Sequence, residues 1–184
     1  VEDGNGVLFT SISPSAKDKR EIKKLGLQIV DKIEDCAVMV AGGDGVPLKR
    51  TPKLLVGMSC VPYIVDIEWV HESARSGDVL HPINFILKDE EAEERWGFDL
   101  DRSLRAVREG RGRVLAGYSV CLTAHAAGKK APPLAEISEI VEVAGGEFLG
   151  ECTLTKMKRF RLEGKADSLL VISSDFALGN KTVQ

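Results

Sequence analysis

The chain has 184 residues, room for one large domain or two small ones, and its 43% hydrophobic content is enough for real cores. A net charge of −3 argues against a protein that grips nucleic acid through bulk positive charge. No apolar run approaches transmembrane length, and nothing at the start reads as a signal peptide. Cys36, Cys60, Cys121 and Cys152 form no Cys-x-x-Cys pair, and His71, His81 and His125 are equally scattered. Reduced core thiols of a cytosolic or nuclear protein are expected, with no zinc site, no other metal and no cofactor.

Taken in chain order, Val7 to Thr10 forms a short apolar strand that ends in two hydroxyl residues, Thr10 and Ser11. Ser13-Pro14-Ser15 offers caps for a charged helix from about Lys17 to Leu25, closed by Gly26. Two more short apolar runs, Leu27 to Val30 and Ala37 to Val40, precede a turn-rich loop over 41–45. Thr51 is a good N-cap and Pro52 a good first helical residue, so a helix begins there. Lys53 then falls in the first turn, where the macrodipole favours an acid. A cation at that place makes sense if an anion docks on it, and Thr10 and Ser11 offer hydroxyls to complete the pocket. Tyr63-Ile64-Val65 reads as a fourth strand. The helix after it, Ile67 to Ser76, carries Ile67, Val70 and Ala74 at helical spacing beside Trp69 and stops at Gly77. Strands alternating with helices predict an α/β fold, a parallel sheet covered on both sides.

Asp89 to Glu94 reads as a solvated acidic linker, followed by Trp96-Gly97-Phe98 and a helix from about Leu100 to Arg108. Its Leu100, Leu104 and Val107 form one apolar stripe, expected to pack between two domains. A second copy of the architecture begins near residue 114, with a strand ending at Cys121-Leu122-Thr123 and a helix from Pro133 to Ala144. Strands are expected at Phe148-Leu149 and at Leu169 to Ile172. Lys156, Lys158 and Arg159 beside Phe160 read as a solvated loop in preference to a nucleic-acid contact. Only eleven residues follow Ser173, against about fifty after Val40 in the first copy, so the second copy is expected to be incomplete.

Three features together resemble a known family. Asp66-Ile67-Glu68-Trp69-Val70 places a Trp in a helix after a short strand, as BRCT domains do. Arg50-Thr51-Pro52-Lys53 resembles the Arg-Thr-x-Lys of phosphopeptide-binding tandem BRCT proteins. The stretch from Ile83 through Leu104 to Tyr118-Ser119-Val120, with its Trp96-Gly97-Phe98, is similar to the segment that joins such repeats. The resemblance covers nearly the whole chain. It implies two repeats, each a parallel four-stranded sheet flanked by helices, at 6–89 and 114–184, joined by a helical linker at 90–113. The second repeat is the shortened one.

The resemblance also implies a site. In such pairs a hydroxyl ends the first strand, the next residue gives a backbone N–H, and a Lys begins the second helix, which are here Thr10, Ser11 and Lys53. Arg50 matches the Arg that contacts the peptide backbone or a free C-terminal carboxylate three residues after the phosphoresidue. The family often has Gly where this chain has Ser11; Ser keeps the N–H and adds a Cβ that the loop must accept. The chemistry agrees on its own account. Phosphoserine carries roughly two negative charges and three strong acceptor oxygens. A hydroxyl, an N–H and an ammonium answer those oxygens with charge-assisted bonds of about 1.5–3 kcal/mol each.

Plainer readings stand beside these: Lys53 as a solvated lysine, Thr10 as an ordinary strand-end hydroxyl, Arg50 paired with Asp44, and His71 as an exposed helical residue. By resemblance the chain is a nuclear, non-enzymatic module of the DNA-damage response. The ligand implied is the gamma-phosphorylated C-terminal histone tail that marks DNA breaks, without membrane or direct nucleic-acid binding. The alternatives are a scaffold for unphosphorylated partners and the BRCT region of a DNA-processing enzyme. A receiver-like α/β domain is disfavoured because no acidic cluster ends the first strand.

Overall fold

The structure, a computed structural model, describes residues 4–43, 45–123, 126 and 132–173. Its first unit, Val1–Gly112, is built around four parallel strands. In chain order the elements are β1 (Gly6–Phe9), α1 (Ala16–Lys24), β2 (Gln28–Val30), β3 (Val38–Gly42), α2 (Pro52–Cys60), β4 (Ile64–Asp66), α3 (Glu68–Ser76), α4 (Glu90–Trp96) and α5 (Leu100–Arg108). The sheet order is β2-β1-β3-β4, every pairing parallel. β3 lies inside the sheet and is buried along all five residues, as a strand covered on both faces must be.

Period-two alternation divides the core. Val7, Val38 and Val40 face α1 and α3, where Ile22, Trp69 and Val70 complete one cluster. Leu8, Met39 and Ala41 face the other way, toward Leu54, Leu100 and Leu104 of α2 and α5. Trp69 is fully buried, and its indole N–H donates to the Leu80 carbonyl at 2.8 Å. α2 lies tight on the sheet at Gly57, where a Cβ would stand 2.4 Å from Met39 Cε. That closeness fixes where the N-terminus of α2 meets the end of β1.

Two expectations for the segment after the first sheet are corrected. The acidic run over 89–94 is a helix, α4, with Asp89 as its N-cap accepting the Ala92 N–H at 2.9 Å, and Ala92 is buried in the core. Its Glu93 carboxylate also accepts the Leu100 N–H at 2.7 Å, so α4 and α5 are joined through a side chain. The Leu100 and Leu104 stripe packs into the first unit's own core against α2. An apolar helix face covers the nearest uncovered sheet side, and here that side belongs to the helix's own unit.

The second unit, Arg113–Gln184, contains β5 (Ser119–Leu122), α6 (Leu134–Val143), β6 (Glu147–Glu151), α7 (Leu154–Leu162) and β7 (Leu169–Ile172). Its described strands run β6-β5-β7, all parallel, the same order as β2-β1-β3 of the first unit. The basic stretch near Phe160 is helix α7, capped by Thr153, and not a loop. Lys156 Nζ donates to the carbonyls of Leu149 and Glu151 at 2.5 and 2.8 Å, while Arg159 pairs with Glu163 at 2.8 Å. His125 and the segment after Ser173 lie outside the described residues, as does Asp44, the suggested partner of Arg50. Among the described residues no helix is long and apolar enough to cross a membrane.

Candidate functional site

The site begins where β1 ends. Thr10 leaves the sheet still bonded to it, its N–H donating to the Val40 carbonyl at 3.0 Å, and is only 6% exposed. Across Ser11 the chain makes the tight bend of a γ-turn, the Ile12 N–H donating to the Thr10 carbonyl at 2.7 Å. Ser11 stands at φ 64°, the one non-glycine in the left-handed region among the described residues. A left-handed serine stores strain of order 1 kcal/mol or more, and such outliers gather where function fixes the backbone. The family preference for Gly at this place thus has a physical reason here. Ser11 compensates through its hydroxyl, which meets both the N–H and the carbonyl of Lys49 at 3.3 Å. Its own N–H has no partner among the described residues.

The start of α2 closes the other side. Thr51 caps the helix by accepting the Leu54 N–H at 3.1 Å, and its oxygen lies 2.9 Å from Thr10 Oγ1. Pro52 follows at the first helical position and no acid occupies the first turn. Lys53 is exposed there and, like Arg50, makes no hydrogen bond or ion pair among the described residues. Its charge is still felt inside. Burial pushes the Cys36 thiol up to about 12, and the Leu8 backbone and the Lys53 ammonium pull the other way. The structure therefore brings Thr10, Ser11 and the first turn of α2 together through the Thr10–Thr51 and Ser11–Lys49 contacts, 41 and 38 residues apart in sequence.

The roles of three supporting residues escape the sequence reading. Asp89 accepts the Leu48 N–H at 3.0 Å as well as capping α4, and so anchors the loop that carries Lys49 and Arg50. Both bonds hold its carboxyl below the usual carboxylate range. Trp96 and Phe98 stack at 6.0 Å between centroids and, with Arg50, Leu54, Leu55 and Met58, line an apolar pocket of about 80 Å³. An Asp before a helix is a visible cap signal, but its second bond to Leu48 has no sequence signature. His71 is also misread as exposed: its ring is two-thirds buried and 3.0 Å from Asp18 Oδ1.

Comparison with known proteins bears on the family and the fold. A sequence model of the Regulator of Ty1 transposition protein 107 BRCT domain matches residues 6–87. Mediator of DNA damage checkpoint protein 1 of Homo sapiens is 29% identical over 143 residues, 78% of this chain and 6% of that protein. PAX-interacting protein 1 of Bos taurus is 28% identical over 173 residues, 92% of this chain and 16% of that protein. The chain thus spans less than a fifth of the length of either relative. Among solved structures, the BRCT5-BRCT6 domains of S. pombe Brc1 match with a TM-score of 0.73 at 22% identity, covering 93% of this chain and 76% of that one. The matched residues 6–87 thus place the first unit in the BRCT family, and the chain shares its fold with a BRCT pair.

Proposed function

We propose that the chain is a phosphoserine-peptide reader of the DNA-damage response, acting by binding and not by turnover. The observation that carries the proposal is the convergence of Thr10, the left-handed Ser11 and the Lys53 turn at one end of β1. Thr51 Oγ1 already accepts the Leu54 N–H, so its own proton is available for Thr10 Oγ1. In that arrangement the Thr10 O–H is released to donate to a phosphate oxygen. The Ser11 N–H supplies a second donor, and the Lys53 ammonium, at the positive end of α2, supplies the charge. Only a doubly charged, oxygen-rich group uses all three, which favours phosphoserine over a carboxylate side chain.

Arg50 extends the reading along the peptide. Arg50 borders the pocket lined by Trp96 and Phe98, and its guanidinium is a planar fork suited to a carboxylate. A peptide whose chain ends shortly after the phosphoserine answers that fork, and the gamma-phosphorylated C-terminal histone tail at DNA breaks is such a ligand. A reader of such a tail works in the nucleus. The test is calorimetric titration with matched phosphorylated and unphosphorylated histone-tail peptides. Tight binding of the first alone is expected; equal binding of both would move the chain to the class of phosphorylation-independent scaffolds.

A further inference from the structure

One side-chain cluster in the first unit has no part in the phosphate site. Asp18 and Glu21 lie one turn apart on α1, and His71 reaches them from α3. Each offers a ligand atom, and the three atoms lie within 4.8 Å of one another. His71 Nε2 stands 3.0 Å from Asp18 Oδ1. In a tetrahedral zinc site with bonds of about 2.0–2.1 Å, neighbouring ligand atoms are roughly 3.3–3.4 Å apart. The imidazole and the first carboxylate, now in hydrogen-bond contact, need to part by only about 0.3–0.4 Å to reach ligand spacing, and Glu21 has to close in from within 4.8 Å.

Two further features distinguish this cluster from an ordinary helix surface. Asp18 is held from behind: its Oδ2 accepts the Ser15 N–H at 2.7 Å and Ser15 Oγ accepts the Asp18 N–H at 3.2 Å. That is a capping box, and it orients the carboxylate as the supporting partner of a metal ligand does. Glu21 gives the independent observation. Its Oε2 is shut off from solvent with no hydrogen-bond partner among the described residues, while Oε1 lies 3.7 Å from Lys17 Nζ. A buried, unpartnered carboxylate oxygen is costly, and a cation beside it removes that cost.

Access and charge are compatible with an ion. A cavity of about 310 Å³ lined by Lys17, Glu21, His71, Ala74 and Arg75 opens beside the cluster. Arg75 is tied to Glu72 at 2.5 Å, and the Lys17 side chain is 71% exposed, so it can swing away. We propose that Asp18, Glu21 and His71 form a zinc site that staples α1 to α3. Two carboxylates and an imidazole suit a borderline ion, whereas calcium and magnesium keep to oxygen. Cysteine and histidine spacing does not announce the site, because its ligands come from two helices 50 residues apart.

None of Thr10, Ser11, Arg50 or Lys53 takes part, so the test stands apart from the phosphopeptide reading. The chelator-stripped chain is titrated with zinc chloride by calorimetry, with thermal melts alongside. One equivalent of zinc bound and a raised melting temperature are expected, since an ion that binds only the folded state stabilises it. Glu21→Gln and His71→Ala should each weaken zinc binding at least about tenfold, the lower end of what loss of a mere supporting partner costs. The four cysteines are the rival ligands, and cobalt separates the cases, because oxygen and nitrogen ligation gives no sulfur-to-metal charge-transfer band. Absence of binding at micromolar zinc, an affinity unchanged in either variant, or a thiolate band with cobalt would each overturn the proposal.

Discussion

Replacing Thr51 by Val keeps the side-chain shape and removes one oxygen, and that oxygen joins the fold to the site. It caps α2 through the Leu54 N–H at 3.1 Å and lies 2.9 Å from Thr10 Oγ1. Loss of a Thr cap costs about 1 kcal/mol. Thr10 is only 6% exposed, so water replaces its lost partner poorly, which adds on the order of 1 kcal/mol. Thr51→Val should therefore destabilise by about 2 kcal/mol, and Thr10→Val by about 1 kcal/mol. The double variant should cost about 2 kcal/mol in place of the additive 3, a coupling near 1 kcal/mol. Equilibrium urea unfolding reads this directly. With a slope of about 2 kcal/mol per molar, Thr51→Val moves the midpoint down by roughly 1 M at constant slope. Additive costs, with coupling under about 0.3 kcal/mol, would show that the two hydroxyls do not meet and that the loop after β1 is held to α2 otherwise.

Trp69→Ala should cost roughly 3–5 kcal/mol from lost volume, enough to threaten folding. Trp69→Phe keeps most of the ring and leaves the Leu80 carbonyl unpaired, so a loss of about 1–3 kcal/mol is expected in the same denaturation assay. Arg50→Gln should erase any preference for a phosphopeptide ending in a free acid over its amide, measured by calorimetry, while leaving phosphate dependence in place; equal wild-type affinities for the two peptides would remove Arg50 from tail reading. Burial works to raise the Asp18 carboxyl, but the Ser15 hydroxyl and N–H and the His71 ring outweigh it and hold it low. A depressed folded pKa contributes stability above the unfolded value of about 3.9, and that stability is lost as pH falls through the folded value. Acid unfolding of Asp18→Asn should therefore lack the part of the slope below about pH 4 that the wild type shows.

How far the fold was legible depended on how local its signals were. Thr51-Pro52 announces the start of α2, Gly77 closes α3, and Trp69 beside Val70 marks a buried helix face, because caps and periodicity act within a few residues. α4 and α7 were missed because charge hid them. Glu90, Glu91, Glu93 and Glu94 surround the single buried Ala92, and Lys156, Lys158 and Arg159 surround a helix with no buried residue. At the site, residue types were legible and their mutual geometry was not. The Thr10–Thr51 contact, the Ser11–Lys49 bonds and the Leu48–Asp89 tie each span about 40 residues, and only tertiary packing sets them. His71 shows the same limit, since its Asp18 partner lies 53 residues upstream.

The central claim is that Lys53, with Thr10 and Ser11, holds a phosphate at the start of α2. Calorimetric titration of wild type and Lys53→Met with phosphorylated and unphosphorylated forms of one histone-tail peptide tests it most directly. A charge-assisted bond of about 1.5–3 kcal/mol corresponds to a factor of roughly ten to a hundred in affinity. The wild type should prefer the phosphorylated peptide by at least that factor. Lys53→Met should lose the preference with an unchanged melting temperature, because Lys53 is exposed and its removal deletes no core volume. A Lys53→Met chain that keeps the wild-type preference for phosphate would contradict the account.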